Sequence, residues 1–165
     1  MMSLLRSNCL SCFLFLSLVS LPAWGEPARL TVGSGLLGVL DNDRTLAFAA
    51  DYRFAVPGMF QPRVLASWAT DGSRFFGAGL LLNLDLDDRW RLTLGAAPGY
   101  YERNRGRDLG STMEFHSTAE LSYDLGRKRR IALTLGHTSN GGFRSDSNPG
   151  TETLMLSWST PLGGK

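Results

Sequence analysis

The chain has 165 residues, with 17 Lys and Arg against 15 Asp and Glu, so it is nearly neutral. That length suits one domain, and the lack of a basic patch excludes an electrostatically driven nucleic-acid role. Both cysteines, Cys9 and Cys12, lie in the first twelve residues, so the rest of the chain has neither disulfide framework nor thiolate chemistry.

Residues 1–25 read as a secretory signal peptide. Arg6 supplies a basic start, and the apolar run Cys9–Leu21 is too short to span a bilayer. Ala23 and Gly25 then form a small-x-small cleavage pattern. A lipoprotein signal ending at Cys12 is the weaker reading, because most of the apolar run follows that cysteine. Residues 26–165 form the expected domain, and no run of about 20 apolar residues in it would make a membrane-spanning helix.

From Arg29 to Leu162 the pattern is strand after strand with period-two alternation. Leu30 and Val32 open the first, which ends near Asp41-Asn42-Asp43. The second sets Leu46, Phe48, Ala50, Tyr52 and Phe54 against Thr45, Asp51 and Arg53. After the turn Pro57-Gly58, Val64, Ala66 and Trp68 mark the third. Asp71-Gly72 is a hairpin signal before the fourth, which carries Phe76, Ala78, Leu80, Leu82 and Leu84 opposite Asn83 and Asp85. The fifth follows Asp87-Asp88, with Trp90, Leu92, Leu94 and Ala96 opposite Arg91 and Thr93. A polar loop, Glu102 to Asp108, precedes the sixth, where Met113, Phe115, Ala119, Leu121 and Tyr123 oppose Glu114, His116, Thr118 and Glu120. Ile131, Leu133 and Leu135 mark the seventh, and Leu154, Leu156 and Trp158 the eighth, which starts near Glu152.

Eight strands of about ten residues suit an all-β fold, an eight-stranded antiparallel transmembrane β-barrel. Every strand carries a broad Leu-, Phe- and Trp-rich face, while the other mixes Gly, Ala and Thr with charges of both signs. That is the distribution of a lipid-facing wall around a narrow polar lumen. Trp68, Trp90, Tyr100, Tyr101 and Trp158 near strand ends suit interfacial girdles. The chain ends STPLGGK rather than on the aromatic residue common in such barrels, so the tail after Pro161 is either an extension or the mark of a less conventional insertion. A soluble, lipocalin-like periplasmic barrel is the competing architecture.

The seventh strand breaks the rule for its lipid face. His137 and Ser139 continue the register of Ile131, Leu133 and Leu135, and Glu152 shares the register of Leu154, Leu156 and Trp158 on the adjacent strand. Polar groups against hydrocarbon cost several kcal/mol unless they pair. A Ser-His-Glu set satisfies that need and also makes a hydrolase triad. Residues two apart on a strand have Cα atoms about 7 Å apart, a gap their side chains close. Asn140, Gly141 and Gly142 follow, offering an amide and unhindered N–H groups to an oxyanion. The bland reading is a surface histidine at a barrel rim, followed by a Ser-Asn-Gly-Gly turn. Asp146 is the alternative third member, but it sits mid-loop, where no register argument applies. His116 shares a face with Glu114 and Glu120 and reads as a lumen hydrogen-bonding residue. No metal-ligand cluster or phosphate loop stands out.

The segment GHTSNGGFRSDSNPGTETLMLSW resembles the C-terminal hairpin of the lipid A 3-O-deacylases, the PagL family. The family's H-x-S-N followed by a small residue and a glycine matches His137, Ser139, Asn140, Gly141 and Gly142, and its glutamate at the head of the last strand matches Glu152. The spacing from histidine to glutamate is one residue longer here than in the family's pattern. The resemblance implies Ser139 as nucleophile, His137 as general base, Glu152 as orienting acid, and Asn140 with the Gly142 amide as oxyanion hole. It implies a bacterial outer-membrane enzyme facing the outer leaflet, acting on lipid A of lipopolysaccharide among outer-membrane lipids. No cofactor is needed, and a homodimer is compatible with this reading. The rival from another class is a non-catalytic small barrel, an adhesin or structural protein.

Overall fold

The computed structural model describes residues 25–163 except 42 and 144–147. The signal-peptide reading therefore falls almost wholly outside the described residues. Eight strands follow in order: β1 (Arg29–Leu37), β2 (Thr45–Arg53), β3 (Phe60–Ala69), β4 (Arg74–Asp85), β5 (Trp90–Glu102), β6 (Met113–Asp124), β7 (Arg130–Ser139) and β8 (Thr151–Pro161). Each pairs antiparallel with its sequence neighbours, and β1 pairs with β8 to close the barrel. Closure leaves no sheet edge, so the ladder satisfies the strand N–H and C=O groups without water.

The alternation seen in the sequence becomes inside and outside. Leu80, Leu133, Leu135 and Leu156 are more than half exposed, while Asp51, Arg53, Arg63, Asn83, Thr93 and Glu120 are buried. This inversion of the soluble pattern is what a hydrocarbon solvent selects. Leu80→Arg, halfway along β4, is expected to destabilise the barrel by about 2–4 kcal/mol, read by urea unfolding from lipid vesicles.

Charges fill the middle of the lumen in pairs. Arg53 grips Glu120 with two guanidinium nitrogens, at 3.0 and 2.6 Å, and its Nε donates to Asp51 at 3.3 Å. Arg63 reaches the same Asp51 oxygen at 3.4 Å. Toward the end with shorter turns, Arg91 bridges Asp85 and Glu26 at 2.6 and 2.8 Å. Arg53, Arg63 and Arg91 thus each meet an opposite charge, which the low dielectric of the interior favours.

Sequence alternation did not reveal an apolar plug in this lumen. Leu65, Phe75, Ala97, Tyr101 and Leu109 cluster there, so Tyr101 fills the lumen instead of the girdle expected for it, and Leu81 is only 1% exposed. Glycines on adjacent strands make the room. A Cβ on Gly99 of β5 would lie 2.5 Å from the Phe75 ring of β4, and one on Gly95 of β5 2.8 Å from Leu81 of β4. The residual cavity is about 90 Å³, far too small for an acylated glycolipid. Any site for such a ligand must lie on the outer wall or at the mouth.

The connections differ between the two ends. Residues 86–89 and 125–129 make tight turns at one end, whereas 103–112 and 140–150 are long connections at the other. Asp87 shows why the tight turns need little help. Its Oδ1 accepts the backbone N–H groups of Trp90 and Arg89, both at 2.7 Å, which holds its carboxyl below the usual carboxylate range.

Candidate active site

β7 delivers the polar residues to the outer wall. Ala132, Gly136 and Thr138 are buried, whereas Ile131, Leu133, Leu135 and His137 are exposed and Ser139 is half-buried. β8 repeats this with Thr151 and Thr153 inside and Glu152 half-buried on the outer side. The parity expected for all three residues is therefore met.

Register then brings two of them together. His137 and Glu152 are direct cross-strand partners, and His137 Nδ1 lies 3.1 Å from Glu152 Oε1. Their side chains are 48% and 30% exposed, open sideways from the wall rather than sunk in the lumen. A carboxylate at Nδ1 favours the tautomer with the proton on that nitrogen, leaving Nε2 as the basic atom. Ser139 lies two residues along the same face, and among the described residues no hydrogen bond joins its hydroxyl to the imidazole. Unliganded hydrolase sites often tighten such contacts only when substrate enters.

The two expected oxyanion donors have protein partners in this resting state. Gly142 N–H donates to Asn140 Oδ1 at 2.8 Å, and Asn140 Nδ2 donates to the Leu109 carbonyl at 2.9 Å. Asn140 is 1% exposed, and its backbone N–H donates to Asn148 Oδ1 at 3.0 Å. These bonds build the turn after β7. Asp146, the alternative acid, lies outside the described residues. His116 points inward, where its Nδ1 is 2.8 Å from Thr138 Oγ1, as expected of a lumen hydrogen-bonding residue.

Two neighbours of the imidazole were not evident from sequence. Ser117 of β6 is its cross-strand partner on the other side, with a long bond of 3.4 Å to the His137 carbonyl. Gly150 lies against the ring itself: a Cβ there would stand 2.5 Å from His137 Cε1 and 3.2 Å from Nε2. Its φ of +61° adds a second reason for glycine. Gly150→Ala is expected to push the ring off Glu152 and cut turnover on the order of tenfold to a hundredfold, measured as kcat with the barrel still folded.

The eight-stranded barrel has an apolar exterior and carries a histidine-carboxylate pair with a nearby serine on its outer wall. Residues 46–161 match the family model described as lipid A 3-O-deacylase (PagL), and the chain belongs to that family. Among solved structures it resembles the outer-membrane enzyme PagL, with a TM-score of 0.63 at 13% identity, covering 82% of this chain and 100% of that one. Neisserial surface protein A gives 0.63 at 11% identity, covering 84% and 99%. A de novo designed transmembrane β-barrel gives 0.60 at 14% identity, covering 83% and 98%. At these identities the structural likenesses show the fold alone. No curated protein matches the sequence significantly.

Proposed function

We propose that the protein is an outer-membrane esterase that removes the 3-O-linked hydroxyacyl chain from lipid A, with its site facing the outer leaflet. The carrying observation is the His137–Glu152 bond on the outer wall, two residues from Ser139. Nothing in barrel architecture calls for this pair among leucines, whereas ester hydrolysis by serine needs it.

In this mechanism Ser139 Oγ attacks the ester carbonyl while His137 Nε2 takes its proton. Glu152 holds the imidazole in orientation and offsets the positive charge it gains. The tetrahedral oxyanion is met by Asn140 Nδ2 and the Gly142 N–H, which exchange their present partners for it. Collapse expels the sugar alkoxide, protonated by His137, and leaves an acyl-serine. Water, activated by the same imidazole, then releases the hydroxy fatty acid and restores Ser139.

Lateral access accounts for the position. Acyl chains of the substrate are themselves the solvent around the wall, so the site needs no tunnel and the filled lumen is no obstacle. The fold does not by itself imply chemistry, since a designed barrel shares it. A non-catalytic barrel is accordingly the rival reading. Incubating the detergent-solubilised barrel with purified lipid A separates the two. Release of free 3-hydroxy fatty acid, abolished by Ser139→Ala, is the expected result, and no release from folded protein would refute the esterase.

A further inference from the structure

We propose that Asp41 is a positioning residue for this hydrolysis, anchoring the head of β8 so that Glu152 holds the imidazole. The inference rests on the esterase reading for its catalytic consequence, but the anchor itself rests on contacts within the chain.

Glu152 has an exposed structural weakness. On the β7 side it is paired with His137, but on the β1 side the ladder ends at Leu37 opposite Thr153. Thr151 and Glu152 therefore project beyond the last β1 pair, directly after the long connection 140–150. Strand ends in such places fray, because few bonds must break to release them. An orienting acid at a fraying end would hold its histidine poorly.

The β1–β2 connection supplies the missing support. Glu152's carbonyl oxygen accepts the N–H groups of Gly38 and Val39, at 2.8 and 3.2 Å. Asp41 N–H donates to the Gly38 carbonyl at 2.9 Å, closing the turn at Gly38, whose φ is +73°. The Asp41 carboxylate then ties that turn to β8, because Thr151 Oγ1 donates to Asp41 Oδ2 at 3.3 Å. Its other oxygen accepts from Arg107, in the connection between β5 and β6. Thr151 is only 2% exposed, so its hydroxyl has little water to turn to if Asp41 is lost.

The three residues at the head of β8 thus share one task. Gly150 rests on the imidazole, Thr151 is tied to Asp41, and Glu152 bonds Nδ1 while the turn at Gly38 and Val39 holds its own backbone. Among the described residues Asp41 bonds neither His137 nor Ser139, so it acts through Glu152.

The test is kinetic and epistatic, on the full barrel in detergent with lipid A as substrate. Asp41→Ala is expected to lower kcat on the order of tenfold to a hundredfold, with KM changed by less than about twofold. Thr151→Val should reproduce much of that loss, and Asp41→Asn, which keeps an acceptor for Thr151, should fall between. In a Glu152→Ala background, Asp41→Ala should cost nothing further. An unchanged kcat, or a full multiplicative loss on Glu152→Ala, overturns the proposal. Amide hydrogen exchange at Gly38 and Val39 reads the anchor without catalysis: Asp41→Ala should speed it, and unchanged exchange also overturns the proposal. If the wild type releases no fatty acid while exchange rises in the variant, the esterase reading fails and the anchor stands.

Discussion

Ser139→Ala and His137→Ala are each expected to reduce fatty-acid release at least about a thousandfold while leaving the barrel folded. Neither side chain supports the ladder: both face outward, and the backbone bonds of β7 are unaffected by truncation at Cβ. In the proposed mechanism nucleophile and base act as one unit, so removing the second after the first has little left to remove. The double variant should be no more than a fewfold worse than either single one. Two independent losses that multiply would mean that the residues serve separate ends. Heat-modifiable migration on gels, the usual sign of an intact small barrel, checks that the loss is chemical.

Glu152→Ala should be the next most severe change, costing on the order of 10³- to 10⁴-fold in kcat, approaching the loss seen when a triad loses its acid. The 3.1 Å contact to Nδ1 fixes both the tautomer and the direction of Nε2, and its loss leaves the ring free to turn toward solvent. Glu152→Gln keeps an acceptor for Nδ1–H but not the charge that stabilises the imidazolium, so it should recover only part of the loss. Asp146→Ala should stay near wild type. A severe effect there, with Glu152→Ala active, would transfer the acid's role to the loop.

Much of the barrel and of this pair could be read from alternation alone. Once Leu133 and Leu135 were placed outward, His137 had to be outward too, and the same parity carried Glu152 from Leu154 and Leu156. The structure puts those two residues in direct register, as a hairpin of that phase demands. Contacts made by residues outside the strands were not legible. Asp41 meets Thr151 across 110 positions of sequence, and Asn140 meets the Leu109 carbonyl between two loops. No period links such residues, because loop conformations are set by turn chemistry and by the partner they land on. The apolar cluster around Phe75 was hidden for a different reason. A lumen position that holds a large side chain depends on glycines in neighbouring strands, which only register reveals.

The most direct measurement of the central claim is mass spectrometry of lipid A from Gram-negative cells making this protein. Cells with the wild-type barrel should show lipid A lighter by one 3-hydroxyacyl chain, and cells with equal amounts of folded Ser139→Ala should show the parent mass. An unchanged lipid A profile with wild-type protein folded in the outer membrane, or the same loss of an acyl chain with Ser139→Ala, would contradict it.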